Sequence, residues 1–354
     1  MGWSVGILDL DGDDQAALRS LHRTHHVVLY VERTIMKIGL SLGHSRPFND
    51  LLRLAQHAER IGIDSIWVSE AYGSDAVSVL GYLAAHTRRV GLGSAVLQMA
   101  ARSPAATAMT AMTLDHLSHG RLLLGLGTSG PQVVRGWHGT RFDAPVARTA
   151  EYVDIVRSVV AREAALRYVG NHYQVPFPAG SDDVAPMRSS LHPLRPRVPI
   201  YLASNGPRNV ALTARTAEGW LPAFWSPDRA DLYRELLAPG LADRSPDLPP
   251  LRIVATAHVA AGPDLAECRD RLRPVFALYI GAMARATGTS TPGRSRASVT
   301  PTPSGPFRTT TSRVGGRRPP PPYRTASSMN SPWSARWTGS RHGSGRGAPA
   351  ASTW

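Results

Sequence analysis

Residues 91–139 read GLGSAVLQMAARSPAATAMTAMTLDHLSHGRLLLGLGTSGPQVVRGWHG, and this stretch decides the fold class. It opens with a short, almost continuously apolar run. A segment with helical spacing, Pro104–Leu117, follows, and a second apolar run, Arg121–Gly127, comes next. Strands that are apolar along their whole length are typical of a parallel sheet covered by helices on both faces. The stretch therefore predicts a βαβ unit.

The same alternation continues on both sides of this unit. The predicted strands are 37–42, 65–69, 90–97, 121–127, 199–203, 219–223 and 252–259. The predicted helices are 49–61, 76–86, 104–117, 148–162, a segment from 207, 228–237 and 264–283. This makes seven βα units, which a doubly wound sheet could also accommodate. A (β/α)8 barrel needs an eighth unit, and it would fall after residue 283.

The C-terminal segment 286–354 does not continue the pattern. It contains ten arginines and ten prolines but no Leu, Ile, Lys, Asp or Glu. One interpretation is a disordered low-complexity tail. We favour out-of-frame translation of a GC-rich gene. When the codons that can encode residues 322–342 are read in the frame that starts at the third base of each codon, the translation is compatible with the sequence VPDxLIDExxLVGPxDRVAA. On that hypothesis the last βα unit is lost, and the strands on either side of the gap are left with free edges.

The N-terminal segment also falls outside the alternation. Met36 begins the first predicted strand directly, as MKIGLSLG, and residues 1–35 have no place in the barrel pattern. We predict that residues 1–35 are a non-native extension from a start assigned too far upstream. A genuine helix–strand extension is the alternative. The barrel domain is accordingly predicted to span residues 36–285.

Composition narrows the class of protein. The chain has 354 residues, 42% of them apolar, and a single cysteine, Cys268, which excludes an intrachain disulfide framework. No apolar run approaches the roughly 18 residues of a membrane span. Ten positive charges of the net +14 lie in the tail, so the rest carries only +4. We therefore expect a cytoplasmic protein with a small-molecule substrate and neither nucleic acid nor membrane as a partner.

Three segments carry a family resemblance: Trp67–Asp75 (WVSEAYGSD), Gly91–Gly139, and Pro199–Trp220 (PIYLASNGPRNVALTARTAEGW). In order and spacing they resemble the luciferase-like monooxygenase (LLM) superfamily, and within it the F420-dependent oxidoreductases. The resemblance covers residues 36–283 and implies a TIM barrel of the bacterial-luciferase-like type. It also implies hydride transfer between coenzyme F420, a deazaflavin, and an unknown organic substrate, in a protein that could be a homodimer. An FMN-dependent monooxygenase of the same fold is the alternative, and an inactive truncated product or a basic-tailed binding protein is the alternative of another class.

Two loops follow predicted strands and are built from small polar residues. Thr128 and Ser129 end the 121–127 strand, and Ser204–Gly206 ends the 199–203 strand. Small residues let backbone N–H groups approach an anion, although ordinary βα turns have a similar composition. The resemblance implies that Thr128, Ser129, Ser204, Asn205 and Gly206 hold the cofactor's phosphate.

An acid, Glu70, ends the second predicted strand, where side chains of a barrel are more often functional than structural. The resemblance implies that Glu70 lies beside the deazaflavin ring, whereas a solvated loop carboxylate is the alternative. Ser74 and Asp75 are neighbours that could line the same face, and we take all three as catalytic candidates. The resemblance further implies that a non-prolyl cis peptide at Ala95–Val96 supports the ring.

Other polar residues are less specific. The run 115–121 (DHLSHGR) precedes a strand, at the bottom of the predicted barrel, and we interpret it as structural. Gln132, Trp137 and His138 could face substrate or could pack, and His44 is equally undecided. The Pro- and Gly-rich stretch 170–197 is a candidate lid.

Overall fold

The computed structural model describes residues 25–31, 36–43, 47–178 and 184–287. Its strands are β1 (His25–Val31), β2 (Met36–Leu42), β3 (Ser65–Val68), β4 (Gly91–Ser94), β5 (Leu97–Gln98), β6 (Leu122–Gly127), β7 (Tyr168–Val169), β8 (Gln174–Val175), β9 (Ile200–Ala203), β10 (Gly219–Leu221) and β11 (Arg252–Val259). Its α-helices are α1 (Phe48–Arg60), α2 (Ala76–His86), α3 (Pro104–Leu117), α4 (Pro131–Gly136), α5 (Pro145–Ala161), α6 (Pro207–Thr216), α7 (Ala230–Ala242) and α8 (Leu265–Thr287).

The sheet closes on itself. Its strand order is β4–β3–β2–β1–β11–β10–β9–β6–β5, and β4 also pairs with β6, so that β4 and β5 share one position beside β6. The neighbours on the path from β11 through β6 and β4 to β2 are parallel, as the βα alternation predicts. The described residues therefore form a barrel of eight positions in which helices connect the successive parallel strands, and the predicted TIM-barrel class is confirmed.

The eighth position of this barrel is filled by β1, which runs antiparallel to both of its neighbours. His25 pairs with Val259 of β11, and Val31 pairs with Met36 of β2. The expectation that residues 1–35 have no place in the barrel is therefore wrong for residues 25–31. So is the expectation of free edges on the strands beside the gap, because unpaired N–H and C=O groups there are satisfied by this strand.

The remaining N-terminal residues and the tail from residue 288 lie outside the described residues. The out-of-frame origin of the tail therefore stays a hypothesis. Within the described chain α8 continues to Thr287, slightly beyond the predicted barrel boundary at residue 285.

The predicted elements are found with small shifts. The strand predicted over 90–97 is divided into β4 and β5 by a cis peptide bond between Ala95 and Val96, as the resemblance implies. The hairpin of β7 and β8 and the short helix α4 were not predicted, because two-residue strands and a six-residue helix are too short to show a period.

The interior of the barrel is packed with aromatic and aliphatic side chains. Trp67 and Tyr201 meet edge to face with ring centroids 5.3 Å apart, and both are buried. Their rings fill space that glycines on the adjacent strands leave open. A Cβ on Gly219 would lie 2.0 Å from the Tyr201 ring, and one on Gly93 would lie 2.3 Å from the Trp67 ring. A larger apolar layer separates the sheet from the helices.

The segment 115–121 lies at the bottom of the barrel and is structural, as predicted. Asp115 is buried and accepts two hydrogen bonds from Arg195, at 2.7 and 3.0 Å. His116 Nε2 lies 2.7 Å from the carbonyl of His192. Gly120, in the turn after α3, has a positive φ of 80°, the left-handed conformation that favours glycine, and its amide donates to the Asp115 carbonyl at 2.8 Å. Among the described residues, no helix has both the length and the apolarity that crossing a bilayer requires.

Candidate functional site

The two predicted phosphate loops lie side by side at the mouth of the barrel. Strands β6 and β9 are parallel neighbours, and Gly127 of one is in register with Ala203 of the other. Because Thr128 and Ser204 directly follow these paired residues, their loops start at the same height. The structure thus brings together two segments that are far apart in the sequence.

The first loop is shaped by backbone conformation. Ser129 has a positive φ of 57°, and Gly130 is the N-cap of α4. The Ala95–Val96 cis peptide packs beside this loop, because a Cβ on Gly127 would lie only 2.6 Å from Val96 Cγ2. Thr128 is half-buried, and its hydroxyl makes a 3.3 Å contact to the carbonyl of Ser129. Val96 therefore lies against Gly127, the residue that directly precedes the loop 128–130.

In the second loop Asn205 and Gly206 are exposed, whereas Ser204 is buried. The Ser204 hydroxyl lies 2.8 Å from Thr213 Oγ1, and its carbonyl accepts a 2.9 Å hydrogen bond from Trp220 Nε1. Asn205 Oδ1 accepts a 3.2 Å hydrogen bond from the Ala223 amide. Ser204 thus holds the loop in place, and the outward-facing residues are Asn205 and Gly206.

Helix α6 begins directly after this loop in a form suited to an anion. Gly206 is its N-cap and supplies no side-chain cap, and a Cβ there would meet nothing within 4 Å. Arg208 is exposed in the first turn, and Asn209 Oδ1 is buried without a hydrogen-bond partner in the described chain. The side-chain amide of Asn209 also carries an NH2 group, which can donate a hydrogen bond to an anion. Pro207 has no N–H and the Asn209 amide donates to the Gly206 carbonyl at 3.0 Å, so the first turn offers a phosphate group the Arg208 amide and guanidinium beside the open space at Gly206.

Glu70, the predicted catalytic acid, is already saturated with donors. Its two oxygens accept hydrogen bonds from Arg102, at 2.7 and 2.8 Å. The amides of Gln98 and Ala76 add contacts at 3.1 and 3.3 Å. The Glu70 side chain is 7% exposed, so the alternative of a solvated loop carboxylate is wrong. The geometry makes Glu70 a residue that ties three segments together at the mouth.

Asp75 belongs to the same cluster. Its Oδ2 accepts a 2.7 Å hydrogen bond from the Ser78 amide as the N-cap of α2, and its Oδ1 pairs with Arg102 Nη2 at 2.6 Å. Burial opposes ionisation of Asp75, but the bonds from Ser78 and the charge of Arg102 hold its pKa below the usual value. The hydrogen bond to Glu70 raises the pKa of Arg102. Ser74, the third catalytic candidate, is half-buried beside this cluster.

His138 is connected to this cluster through Gln98. His138 Nε2 lies 3.1 Å from Gln98 Oε1, and Gln98 Nε2 donates to the Ala71 carbonyl at 2.8 Å. Gln132 and Trp137 are exposed, and neither is part of the network. Of the three residues considered for substrate contact, His138 alone is tied to the acid cluster in the described chain. His44 lies outside the described residues.

A cavity of about 570 Å³ opens beside this cluster. Thr128 and Arg102 line it together with residues of the 140–148 segment and Tyr173. Its volume is in the range of small-molecule sites. Sequence reasoning missed Arg102, although it follows a strand end just as Glu70 does.

The candidate lid over 170–197 divides into two parts. Glu151 of α5 accepts hydrogen bonds from the amides of Asn171, His172 and Tyr173, at 2.9 to 3.0 Å, so this part is anchored near the cavity. The later part is attached at the bottom of the barrel, where Arg195 also donates to the Leu122 carbonyl at 2.8 Å. Leu122 begins β6, so it lies at the end of the barrel opposite the mouth. The prediction of a lid is therefore wrong for the end of this segment.

Comparison with known proteins agrees with this geometry. The family model described as luciferase-like monooxygenase matches residues 34–316. The chain belongs to the luciferase-like monooxygenase family. A Mycobacterium tuberculosis protein named as a coenzyme F420-dependent oxidoreductase is 46% identical over 256 residues, which cover 70% of this chain and 73% of that protein.

More distant relatives share the same fold. The 5,10-methylenetetrahydromethanopterin reductase of Archaeoglobus fulgidus is 28% identical, over 69% of this chain and 70% of the reductase. A solved F420-dependent secondary alcohol dehydrogenase, in complex with an F420–acetone adduct, superposes with a TM-score of 0.53 at 19% identity. That match covers 60% of this chain and 66% of the dehydrogenase, just under two thirds of its length.

Proposed function

We propose that this luciferase-like family member is an F420-dependent oxidoreductase that transfers a hydride between the deazaflavin and a small organic substrate. The observation that carries the proposal is the pairing of the loops at Thr128 and Asn205 across in-register strands, next to the Ala95–Val96 surface. The 46% identical relative named as F420-dependent supports the choice of cofactor.

Different residues at the mouth of the barrel bind different parts of the cofactor. Thr128, Ser129, Asn205 and Gly206 hold the phosphate, with Ser204 fixing the second loop from behind. Ala95 and Val96, both partly buried, provide a surface for one face of the ring. When bound, the deazaflavin supplies the hydride chemistry, and the protein supplies position and electrostatics.

Glu70 acts in this proposal through position. A carboxylate that accepts two hydrogen bonds from Arg102 and two from backbone amides keeps the β3 and β5 ends at a fixed separation. Ser74 and Asp75 extend the same polar face. Asp75 also fixes the start of α2, which sets the height of the loop between residues 70 and 75. His138 is tied to the same cluster through Gln98, whose Oε1 lies 3.1 Å from His138 Nε2.

An FMN-dependent monooxygenase is the second candidate, because the family model that matches the chain carries the monooxygenase name. Both cofactors have a phosphate and a tricyclic ring, so the mouth described above could receive either one. Equilibrium titration followed by fluorescence separates them. We expect the full-length chain to bind F420 more tightly than FMN. Tighter binding of FMN would overturn the choice of cofactor while leaving the site in place.

The proposed function also includes a location, an oligomeric state and a class of partner for the enzyme. We propose a cytoplasmic homodimer that acts on a small molecule, without nucleic-acid or membrane partners. Light scattering on the full-length protein tests the dimer, and a monomeric mass at micromolar concentration would contradict it. A salt-dependent DNA-binding assay tests the alternative of a basic-tailed binding protein. A thermal melt tests the alternative of an inactive product.

A further inference from the structure

The cavity of about 570 Å³ beside the acid cluster is lined by both polar and apolar residues. The charged and hydroxyl-bearing residues around its 140–148 side are Arg141, Asp143, Arg148 and Tyr173. The apolar residues of the lining include Met99, Val134, Phe142 and Pro145. Such a lining suits a ligand that carries a charged group on an apolar body.

The arginines around the cavity differ in how far their charge is compensated. Arg102 is committed to the carboxylates of Glu70 and Asp75. Arg148 Nε donates to Asp143 at 2.9 Å. Arg141 is exposed and has neither an ion pair nor a hydrogen bond with any part of the chain that the structure describes. Among the arginines that line the cavity, Arg141 therefore carries the positive charge that the described chain leaves uncompensated.

Arg148 is nevertheless held in a fixed position. Its guanidinium carbon lies 5.9 Å from the centroid of the Tyr173 ring, and the Tyr173 amide is fixed by Glu151 at 3.0 Å. Burial raises the pKa of the Tyr173 hydroxyl, so it stays protonated at neutral pH and can donate a hydrogen bond. A placed guanidinium and a protonated phenol are both donors to an anion.

We propose that this cavity is an anion subsite, in which Arg141 and Arg148 bind a carboxylate or phosphate while the apolar lining residues contact the carbon skeleton attached to it. The anionic group has two sources, an amphipathic substrate or the anionic side chain of the cofactor. The inference rests on the proposed function only for the second source. In either case Arg141 determines which ligands the mouth accepts.

The experiment compares the full-length protein with Arg141→Gln and Arg148→Gln. Arg53→Gln is the matched control, because Arg53 is 80% exposed on α1 and pairs only with Asp50 in the described chain. The first pair of probes is hexanoate and its neutral counterpart hexanol, measured by calorimetry. The second pair is F420 and its riboside, which lacks the phosphate and carboxylates, measured by fluorescence.

If the anion comes from the substrate, Arg141→Gln weakens hexanoate binding about tenfold, the loss of one charge-assisted hydrogen bond, and leaves hexanol unchanged. If it comes from the cofactor, the same variant weakens F420 about tenfold and leaves the riboside unchanged. Unchanged affinity for both anions overturns the proposal, even if Arg148→Gln fails to fold. An equal loss in Arg53→Gln also overturns it, because the effect is then general electrostatics. Failure of the wild-type chain to bind F420 would refute the proposed function, while the hexanoate measurement still tests the subsite.

Discussion

Arg102 holds both oxygens of the Glu70 carboxylate, with Nη1 2.7 Å from Oε2 and Nη2 2.8 Å from Oε1. The pair links the end of β3 to the segment after β5, and its two side chains are 7% and 18% exposed. A bidentate pair of this kind is planar and directional, so it fixes distance as well as charge. Glu70 therefore has a structural role at the mouth of the barrel, because it fixes the position of Arg102.

The first prediction concerns this pair. Glu70→Ala should lower the free energy of unfolding by about 3 kcal/mol, because it leaves Arg102 with Asp75 alone. It should also weaken F420 binding. Glu70→Gln keeps the shape and part of the hydrogen bonding, and it should lose less of both. Urea unfolding measures the stability of these variants, and fluorescence titration measures their affinity for F420. A Glu70→Ala protein that is as stable as wild type would refute a stabilising role of the Glu70–Arg102 pair.

The second prediction concerns Gly206, the N-cap of α6 with open space around its Cα. Gly206→Asp and Gly206→Asn both introduce good N-caps, so neither should lower the melting temperature. The Asp variant places a carboxylate against the phosphate and should bind F420 at least tenfold more weakly than the Asn variant. Fluorescence titration of the two proteins measures this. Equal affinities would remove Gly206 from the phosphate site.

The third prediction concerns β1. Val28 pairs with Thr256 on one side and Gly39 on the other. Val28→Pro removes a backbone donor from a strand that has neighbours on both sides, and should destabilise the barrel by about 3 kcal/mol. Val28→Thr keeps the donor and is the control. Denaturant unfolding compares them, and equal stability would show that β1 does not contribute to the fold in solution.

The fourth prediction concerns the glycines of the barrel interior. Gly219→Ala places a Cβ 2.0 Å from the buried Tyr201 ring, so the ring or the strand must move. We expect a loss of about 2–3 kcal/mol in the free energy of unfolding. Gly136→Ala is the matched control, because nothing lies within 4 Å of its Cβ position. A Gly219→Ala protein with the stability of the control would contradict this packing.

The fifth prediction concerns acid sensitivity. The pKa of Asp75 is lower in the folded chain than its usual value, so its contribution to stability is present above pH 4 and is lost as pH falls through the folded pKa. Asp75→Asn keeps an N-cap on α2 and removes the charge. The stability difference between wild type and this variant should therefore shrink from pH 6 to pH 3. Melting temperatures over that range measure it, and a constant difference would be the contrary result.

The sequence was sufficient for the central parallel strands β6 and β9 because each is an apolar run that is buried along almost its whole length. The patterns around Leu122–Gly127 and Ile200–Ala203 contain that information locally. The place of β1 could not be predicted in the same way. The apolar run at Val27–Val31 is compatible with a strand, but its direction depends on which sheet edges are unpaired, and that is a property of the whole barrel.

The position of the candidate site could be predicted from the sequence, but the hydrogen-bond partners of its residues could not. The rule that functional side chains follow the ends of barrel strands located Glu70, Thr128 and Asn205. It could not show that Glu70 is bound to Arg102, nor that the Ser204 hydroxyl is turned towards Thr213. Both facts depend on side-chain directions set by packing between segments that are distant in the sequence. The role of each site residue in binding stays a prediction for the titrations above.

The direction of β1 has a practical consequence for work with this protein. His25 is in register with Val259, the last residue of β11, so the polypeptide enters the barrel on the side of the cofactor loops. A fusion partner joined directly to His25 would therefore start at this face of the barrel, beside the proposed cofactor loops. Binding assays on a protein shortened and fused at His25 should therefore be compared with the tag-free protein.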